Sequence, residues 1–238
     1  MPTPIAKISP PAEPALQPAP PPAKLGAAHA VWLFLCRVFT WLHLSSGLRR
    51  AWTSIYRLIW ERRWKNVTVP TYANLDTLGG YLRLNANKWR ADSWRQLWDA
   101  VSYPGKAKEA FEGSFIPENG LDCEDFSIFI VHTLKRSLDT GALHVAKDLA
   151  TPQLFTVIWM EGWALRGHAV CLVRLPDYQF AFMDYGPPTG HALTPNEVAK
   201  NVMRAQTKAT PNAPRLSLVG WARFDENLRS VEVRFGRD

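Results

Sequence analysis

Three side chains of this chain, Cys123, His168 and Asp184, have the types and the order that nucleophilic acyl transfer requires. A thiolate attacks, an imidazole moves the proton, and a carboxylate holds the imidazole by its other ring nitrogen. Cys123 lies in Asp122-Cys-Glu-Asp-Phe-Ser127, just ahead of an apolar period made by Phe126, Ile130, Leu134 and Leu138. That pattern predicts a helix with Asp122 as N-cap, Cys123 in the first turn and Asp125 at the third position. A helix N-terminus carries partial positive charge and unsatisfied N–H groups, both of which favour a thiolate. Asp122, Glu124 and Asp125 act in the opposite sense, because nearby carboxylates raise a thiol pKa. A catalytic Cys123 therefore requires a cationic partner, and His168 is the candidate.

His168 follows Gly167 in a stretch with strand character. By alternation it shares a face with Val170 and Leu172, while Cys171 points to the other face. A tight turn at Pro176-Asp177 pairs positions that sum to about 353, since antiparallel partners are mirrored about the turn. Residue 168 then falls opposite 185, which brings Asp184 beside it. Taken one at a time, each residue also has an ordinary use: a buried small hydrophobe, a structural histidine, a turn former before Tyr-Gly. Their joint placement at element ends favours the chemical reading.

The elements that must position these groups are helices followed by strands. Helical stretches are expected between 74 and 112, the second over Ser93–Val101 and ending near Pro104-Gly105. Extended segments are expected at Leu154–Glu161, Gly167–Leu175, Tyr178–Tyr185, Arg215–Phe224 and Ser230–Phe235. A helix capped by Thr194 is expected at Pro195–Ala205. This order predicts an α+β fold, with the nucleophile at a helix N-terminus packed on an antiparallel sheet. No glycine-rich phosphate loop is present in either standard spacing.

At 238 residues and 47% hydrophobic, the chain is long enough for one domain with a sizeable core. Three cysteines make neither a disulfide framework nor CxxC pairs for a structural zinc. The formal charge of +7 is unevenly placed. Residues 1–22 hold nine of the nineteen prolines, and they read as a disordered or polyproline tail. Residues 23–65 hold eight basic residues against the single acid Glu61, and five of the eleven tryptophans. Residues 66–238 are neutral and form the expected catalytic domain. Nucleic acid is therefore a poor fit as a partner.

Within the basic segment, Leu48, Trp52, Ile55 and Ile59 form an apolar stripe opposite Arg50, Ser54, Arg57 and Glu61. The stripe either packs on the core or, in the sharper reading, docks residues 28–65 on a membrane surface or a protein partner. Residues 28–44 are apolar nearly all round, but the stretch is short and interrupted by Arg37, so it does not read as a spanning helix. As a signal peptide it is equally poor, and an intracellular protein is expected.

Asp122-Cys-Glu-Asp-Phe-Ser127, Gly167-His-Ala-Val170 and Met183-Asp-Tyr-Gly186 together resemble the three signature blocks of the transglutaminase-like cysteine peptidase superfamily. The resemblance spans roughly 115–190 and is nearest to the bacterial transglutaminase-like cysteine proteinases, the group that includes LapG-type proteases. It implies a papain-like core in which Cys123 attacks a carbonyl carbon, His168 serves as base and then acid, and Asp184 orients it. The backbone N–H of Cys123 would be one oxyanion donor. The second is open among Trp98, Tyr103 and Asn119. The resemblance also implies calcium on Asp122 and Glu124, for which helix capping is the alternative use, since two acids supply few of the 6–8 oxygens calcium takes. No other cofactor is required. The proline-rich tail and the basic aromatic segment depart from the family pattern.

The function expected is hydrolysis of a peptide or isopeptide bond in a protein or peptide substrate through a thioester. Transfer of the acyl group to an amine shares that intermediate. A catalytically silent member of the fold, acting as a structural or interaction protein, is the reading of a different class.

Overall fold

A computed structural model of the protein describes residues 27–89, 100–113, 121–143, 151–175, 179–207 and 216–236. Among the described residues five α-helices precede the first strand: α1 (Ala27–Leu44), α2 (Ser46–Trp60), α3 (Leu75–Asn85), α4 (Pro104–Phe111) and α5 (Cys123–Asp139). Strands β1 (Gln153–Glu161), β2 (Ala164–Arg174), β3 (Phe180–Met183) and β4 (Thr189–Ala192) follow. After them come α6 (Pro195–Gln206), β5 (Leu216–Phe224) and β6 (Ser230–Phe235). The six strands form one antiparallel sheet in the order β4-β3-β2-β1-β5-β6, so the fold is α+β.

The sheet separates two cores. On one face α6 packs Val198, Ala199, Val202 and Met203 against Phe155, Val157, Val170, Leu172 and Trp221. On the other, α5 packs Phe126, Ile130 and Leu134 toward Ile158, Ala169, Cys171 and Ala222. Ile128, Phe129 and Val131 are buried too, so α5 is enclosed on nearly all sides, as expected of a helix that is apolar around its circumference. Phe111 closes the packing, its ring centroid 4.9 Å from both Phe126 and Phe129.

Two expectations about elements are corrected. Pro104-Gly105 opens α4 instead of ending a helix: a first-turn proline lacks an N–H that would have no intrahelical partner in any case. Gly105 is required there by close approach, since a Cβ would lie 2.5 Å from Val67 Cβ and 2.8 Å from the Trp64 carbonyl oxygen. The second correction is β4, which the sequence reading lacks. Its Thr-Gly-His-Ala has no apolar alternation, and Gly190 (φ +65°) lies where a Cβ would meet the Phe182 ring. Most of the helix expected over Ser93–Val101, and the turn at Pro176-Asp177, fall outside the described residues.

The register of β2 on β3 sets Cys171 opposite Met183 and Val173 opposite Ala181. These pairs sum to 354, one more than expected, and β3 stops at Met183. Asp184 is therefore the first residue past the strand.

Between α2, α4 and α5 runs a buried polar seam. Glu61 accepts hydrogen bonds from Ser102 Oγ (2.7 Å) and the Tyr103 N–H (2.8 Å) and pairs with Lys106 at 3.1 Å. Asp125 accepts from the Ser102 N–H at 2.8 Å. The seam fixes how α2 lies. Arg49, Thr53 and Tyr56 face inward, Trp52 is half-buried, and Leu48, Ile55 and Ile59 of the stripe face outward. Core packing of that stripe, one of the two readings of the periodicity, is thereby overturned. The inward surface offers carbonyls and carboxylates, which apolar side chains would leave unpaired.

Candidate active site

Cys123 is the first residue of α5. Asp122 caps the helix, its Oδ1 accepting the N–H groups of Glu124 and Asp125 at 2.9 Å each. Ser127 Oγ donates to the Cys123 carbonyl at 2.6 Å. Cys123 is partly exposed, whereas Cys36 and Cys171 are buried and their thiols are pushed up by desolvation. Of the three thiols only Cys123 combines access with a helix N-terminus.

His168 lies on β2, opposite Val157 of β1. Its Nε2 is 2.8 Å from Asp184 Oδ2. An ionised carboxylate only accepts, so Nε2 carries the proton and Nδ1 is the basic nitrogen. By alternation His168 belongs to the α6 face, yet α5 packs on the opposite face. β3 pairs only with residues 171–174 of β2, so His168 lies beyond the end of that ladder, and it lines the same cleft as Cys123. Past Met183 the chain turns back over α5, with the Tyr185 ring 5.1 Å from Phe126 and 6.3 Å from His168. The Tyr185 phenol is pushed well up by burial and by the charges of Asp184 and Cys123, so it stays a neutral hydroxyl.

Cys123 and His168 line one cleft of about 600 Å³ together with Asp122 and Glu124. Its walls include Phe39 and His43 of α1, Trp89, Trp159, Leu165 and Gln206. Glu161 and Arg166, paired at 3.1 Å, also line it. Gln206, the last residue of α6, donates from Nε2 to Asp184 Oδ2 at 3.1 Å. The carboxylate that orients His168 is thus itself held by the C-terminal end of α6. Nothing in the sequence marked Gln206, since only tertiary closure brings it there.

The acids beside Cys123 each have their own countercharge or role. Arg49 of α2 forms an ion pair with Glu124, both fully buried, and donates from Nη1 to Thr156 Oγ1 at 3.1 Å. His43 Nε2 lies 3.9 Å from the same Glu124 oxygen, with its pKa lowered by burial although Glu124 pulls it up. Asp125 is pushed up to about 7 by burial and by Asp122, against the pull of Lys106 3.8 Å away. Asp122 is occupied in capping. Arg49 therefore offsets the charge of Glu124, the residue next to Cys123 in the chain. The sequence pattern did not single out Arg49, which with Thr53 and Tyr56 lies on the flank between the apolar stripe and the face of Arg50, Ser54 and Arg57.

Among the described residues, both side chains expected to hold calcium, Asp122 and Glu124, also have protein partners. Glu124 Oε1 is engaged by Arg49 and Asp122 Oδ1 by two N–H groups, leaving Glu124 Oε2 as a buried oxygen with no hydrogen-bond partner. Among the described residues no three His, Cys, Asp or Glu side chains form a group suited to a metal.

Of the oxyanion candidates, Trp98 and Asn119 lie outside the described residues. Tyr103 is at the start of α4, and its N–H is given to Glu61 in the buried seam. It lines a different cavity, beside Arg57 and His132. Comparisons of the chain with family models, with curated proteins and with solved structures found no match.

Proposed function

We propose that this protein is a cysteine hydrolase that cleaves a peptide or isopeptide bond through a thioester acyl-enzyme. The observation that carries this reading is the His168 Nε2 to Asp184 Oδ2 bond of 2.8 Å, in a cleft that also exposes a cysteine at a helix N-terminus. The transglutaminase-like resemblance and a papain-like description of the fold draw support from the same features. These are a nucleophile opening an enclosed central helix, and a histidine and an aspartate supplied by the antiparallel sheet.

In this mechanism Cys123 Sγ gives its proton to His168 Nδ1 and attacks the carbonyl carbon of the scissile bond. The negative charge moves to the carbonyl oxygen, where the Cys123 backbone N–H and the α5 N-terminus stabilise it. As the tetrahedral species collapses, the C–N bond breaks, and the proton on Nδ1 passes to the leaving amine. Water then enters, gives a proton to Nδ1 and attacks the thioester carbon. Collapse expels the Cys123 thiolate and leaves the product acid. Asp184 stabilises the imidazolium at each stage and keeps the ring in the productive tautomer. The aromatic and apolar walls suit a peptide side chain, with Glu161 and Arg166 available for its polar groups.

The test is iodoacetamide alkylation across pH on the full chain, read by peptide mass spectrometry so that Cys36, Cys123 and Cys171 are separated. Cys123 is expected to react fastest and at a pH well below the free-thiol value of about 8.5. His168→Ala should remove that low-pH reactivity, and chelator or added calcium should leave it unchanged. Equal reactivity of all three cysteines, or indifference of Cys123 to His168, overturns the reading in favour of a catalytically silent fold. Once a peptide substrate is found, added primary amine distinguishes transfer from hydrolysis by appearing in the product.

A further inference from the structure

The outward face of α1 and α2 is the largest feature of the molecule that the proposed chemistry leaves unused. No single helix among the described residues is long and apolar enough to cross a membrane, and the two helices meet at a 58° bend at Ser45. Exposed apolar side chains recur every three or four residues along α1, at Val31, Leu35, Val38 and Leu42, and past the bend at Leu48, Ile55 and Ile59, with half-buried Trp52 between the first two. Phe34, Trp41 and Leu58, the last 70% exposed, widen the stripe. The inward stripe is also continuous, through Cys36, Thr40, Leu44, Arg49, Thr53 and Tyr56. The orientation is set by directional bonds. Arg49 is tied to Glu124 and Thr156, Arg57 donates to the Val101 and Ser102 carbonyls, and the Thr53 hydroxyl receives the Val101 N–H. Turning the helix to hide Ile55 would break all of these.

Charge identifies the occupant. Arg37, Arg50, Arg62, Arg63 and Lys65 are exposed along this segment. Its only acid, Glu61, is 1% exposed and committed to Lys106 and Ser102. Two copies meeting through this face would bring two such cationic sets together with no acid from the segment between them. An anionic lipid surface satisfies both the apolar stripe and the cations. Exposed Trp32, Trp41 and Trp60 suit the headgroup boundary, where amphipathic aromatic rings settle. We propose that α1 and α2 dock the protein in the plane of an anionic lipid bilayer, the apolar stripe entering the headgroup–acyl boundary and the arginines meeting lipid phosphates. Since Phe39 and His43 of α1 also line the cleft, docking sets Cys123 beside the membrane surface.

Co-sedimentation of the full chain with phosphatidylcholine vesicles, with and without phosphatidylglycerol, tests this. The expected result is pelleting that requires phosphatidylglycerol, accompanied by a blue shift of tryptophan emission. Leu58→Glu with Ile59→Glu should lower vesicle affinity by about a hundredfold, from about tenfold for each apolar side chain. Arg37→Gln with Arg62→Gln should lower it by about fivefold per charge. All four positions are exposed, and an unchanged melting temperature establishes that each variant is folded. Failure to pellet with either vesicle, or pelleting indifferent to phosphatidylglycerol and to Leu58 and Ile59, overturns the proposal. So does a lipid-free dimer that Leu58→Glu dissociates, which would assign the face to a second copy.

Discussion

Helices α6 and α2 are both amphipathic, and they meet the body of the protein in opposite senses. In α6, Thr194 and Glu197 form a capping box, and the apolar stripe of Val198, Ala199, Val202 and Met203 is buried against the sheet. In α2, no side chain caps the N-terminus, Arg49, Thr53 and Tyr56 are buried, and Leu48, Ile55 and Ile59 are exposed. The difference lies in what each helix faces. The sheet offers α6 Phe155, Val157, Val170 and Leu172. The surface beneath α2 offers the Glu124 carboxylate, the Thr156 hydroxyl and two backbone carbonyls, all of which need donors. Periodicity fixes that a helix has two unlike faces; the complementary surface selects the inward one.

The comparison is sharpest where a single substitution should have contrary effects in the two helices. Val202→Asp places a carboxylate among apolar side chains with no partner and should cost roughly 4 kcal/mol of stability, read from urea unfolding. Arg49→Leu makes α2 more like α6 by putting an apolar group inside. It should nonetheless destabilise by about 3 kcal/mol, because Glu124 is left buried and unpaired. Adding Glu124→Leu should recover most of that loss, since an apolar pair can replace a buried ion pair. Arg49→Leu alone should also move Cys123 alkylation to higher pH, because the Glu124 charge beside the thiol is no longer offset. A neutral Arg49→Leu would show that the inward polar face is incidental.

The two contacts should differ in pH response as well. The α6 contact cluster is apolar, whereas the seam joining α2 to α5 holds Asp125, pushed up to about 7 by burial and by Asp122. An unfolded aspartate titrates near 3.9. Between about pH 4 and 7 the folded protein therefore holds a proton that the unfolded chain has lost. This contribution to stability is full below about pH 4 and is lost as the pH rises through about 7. Urea midpoints of the wild type and Asp125→Asn should diverge across that range. The wild type should lose on the order of 2 kcal/mol relative to the variant. Parallel midpoints would place the Asp125 titration elsewhere.

Elements with local signatures were legible in the sequence. The Thr194 cap, the limits of β6 and the helix opening at Asp122-Cys123 follow from residue types within a few positions. The juxtaposition of His168 and Asp184 was legible because a hairpin register depends on one turn, and the register came within one residue. What escaped depends on contacts between distant segments. Gln206 reaches Asp184 only once α6 has crossed the sheet, and Arg49 reaches Glu124 only once α2 lies on α5. Pro104-Gly105 is compatible with either end of a helix, and the approach of Val67 and Trp64 to Gly105 belongs to the folded chain alone. The acids around Cys123 look like an electrostatic obstacle in one dimension and are individually offset in three.

The smallest expected effect separates the two helices most directly. At a position like Val202, fully buried in α6, a carboxylate has no solvent and no cation. At Leu58, which is 70% exposed in α2, it stands in water, where a surface substitution changes stability little. Leu58→Glu should therefore change the unfolding free energy by less than about 0.5 kcal/mol in the absence of lipid, against roughly 4 kcal/mol for Val202→Asp. A melting temperature that falls as far for Leu58→Glu as for Val202→Asp would mean that the stripe is packed in solution. The inversion of α2 would then belong to one conformation of the chain and not to its ground state. An unchanged melting temperature leaves an apolar stripe that contributes nothing to folding, and its role then lies in what the face meets outside the molecule.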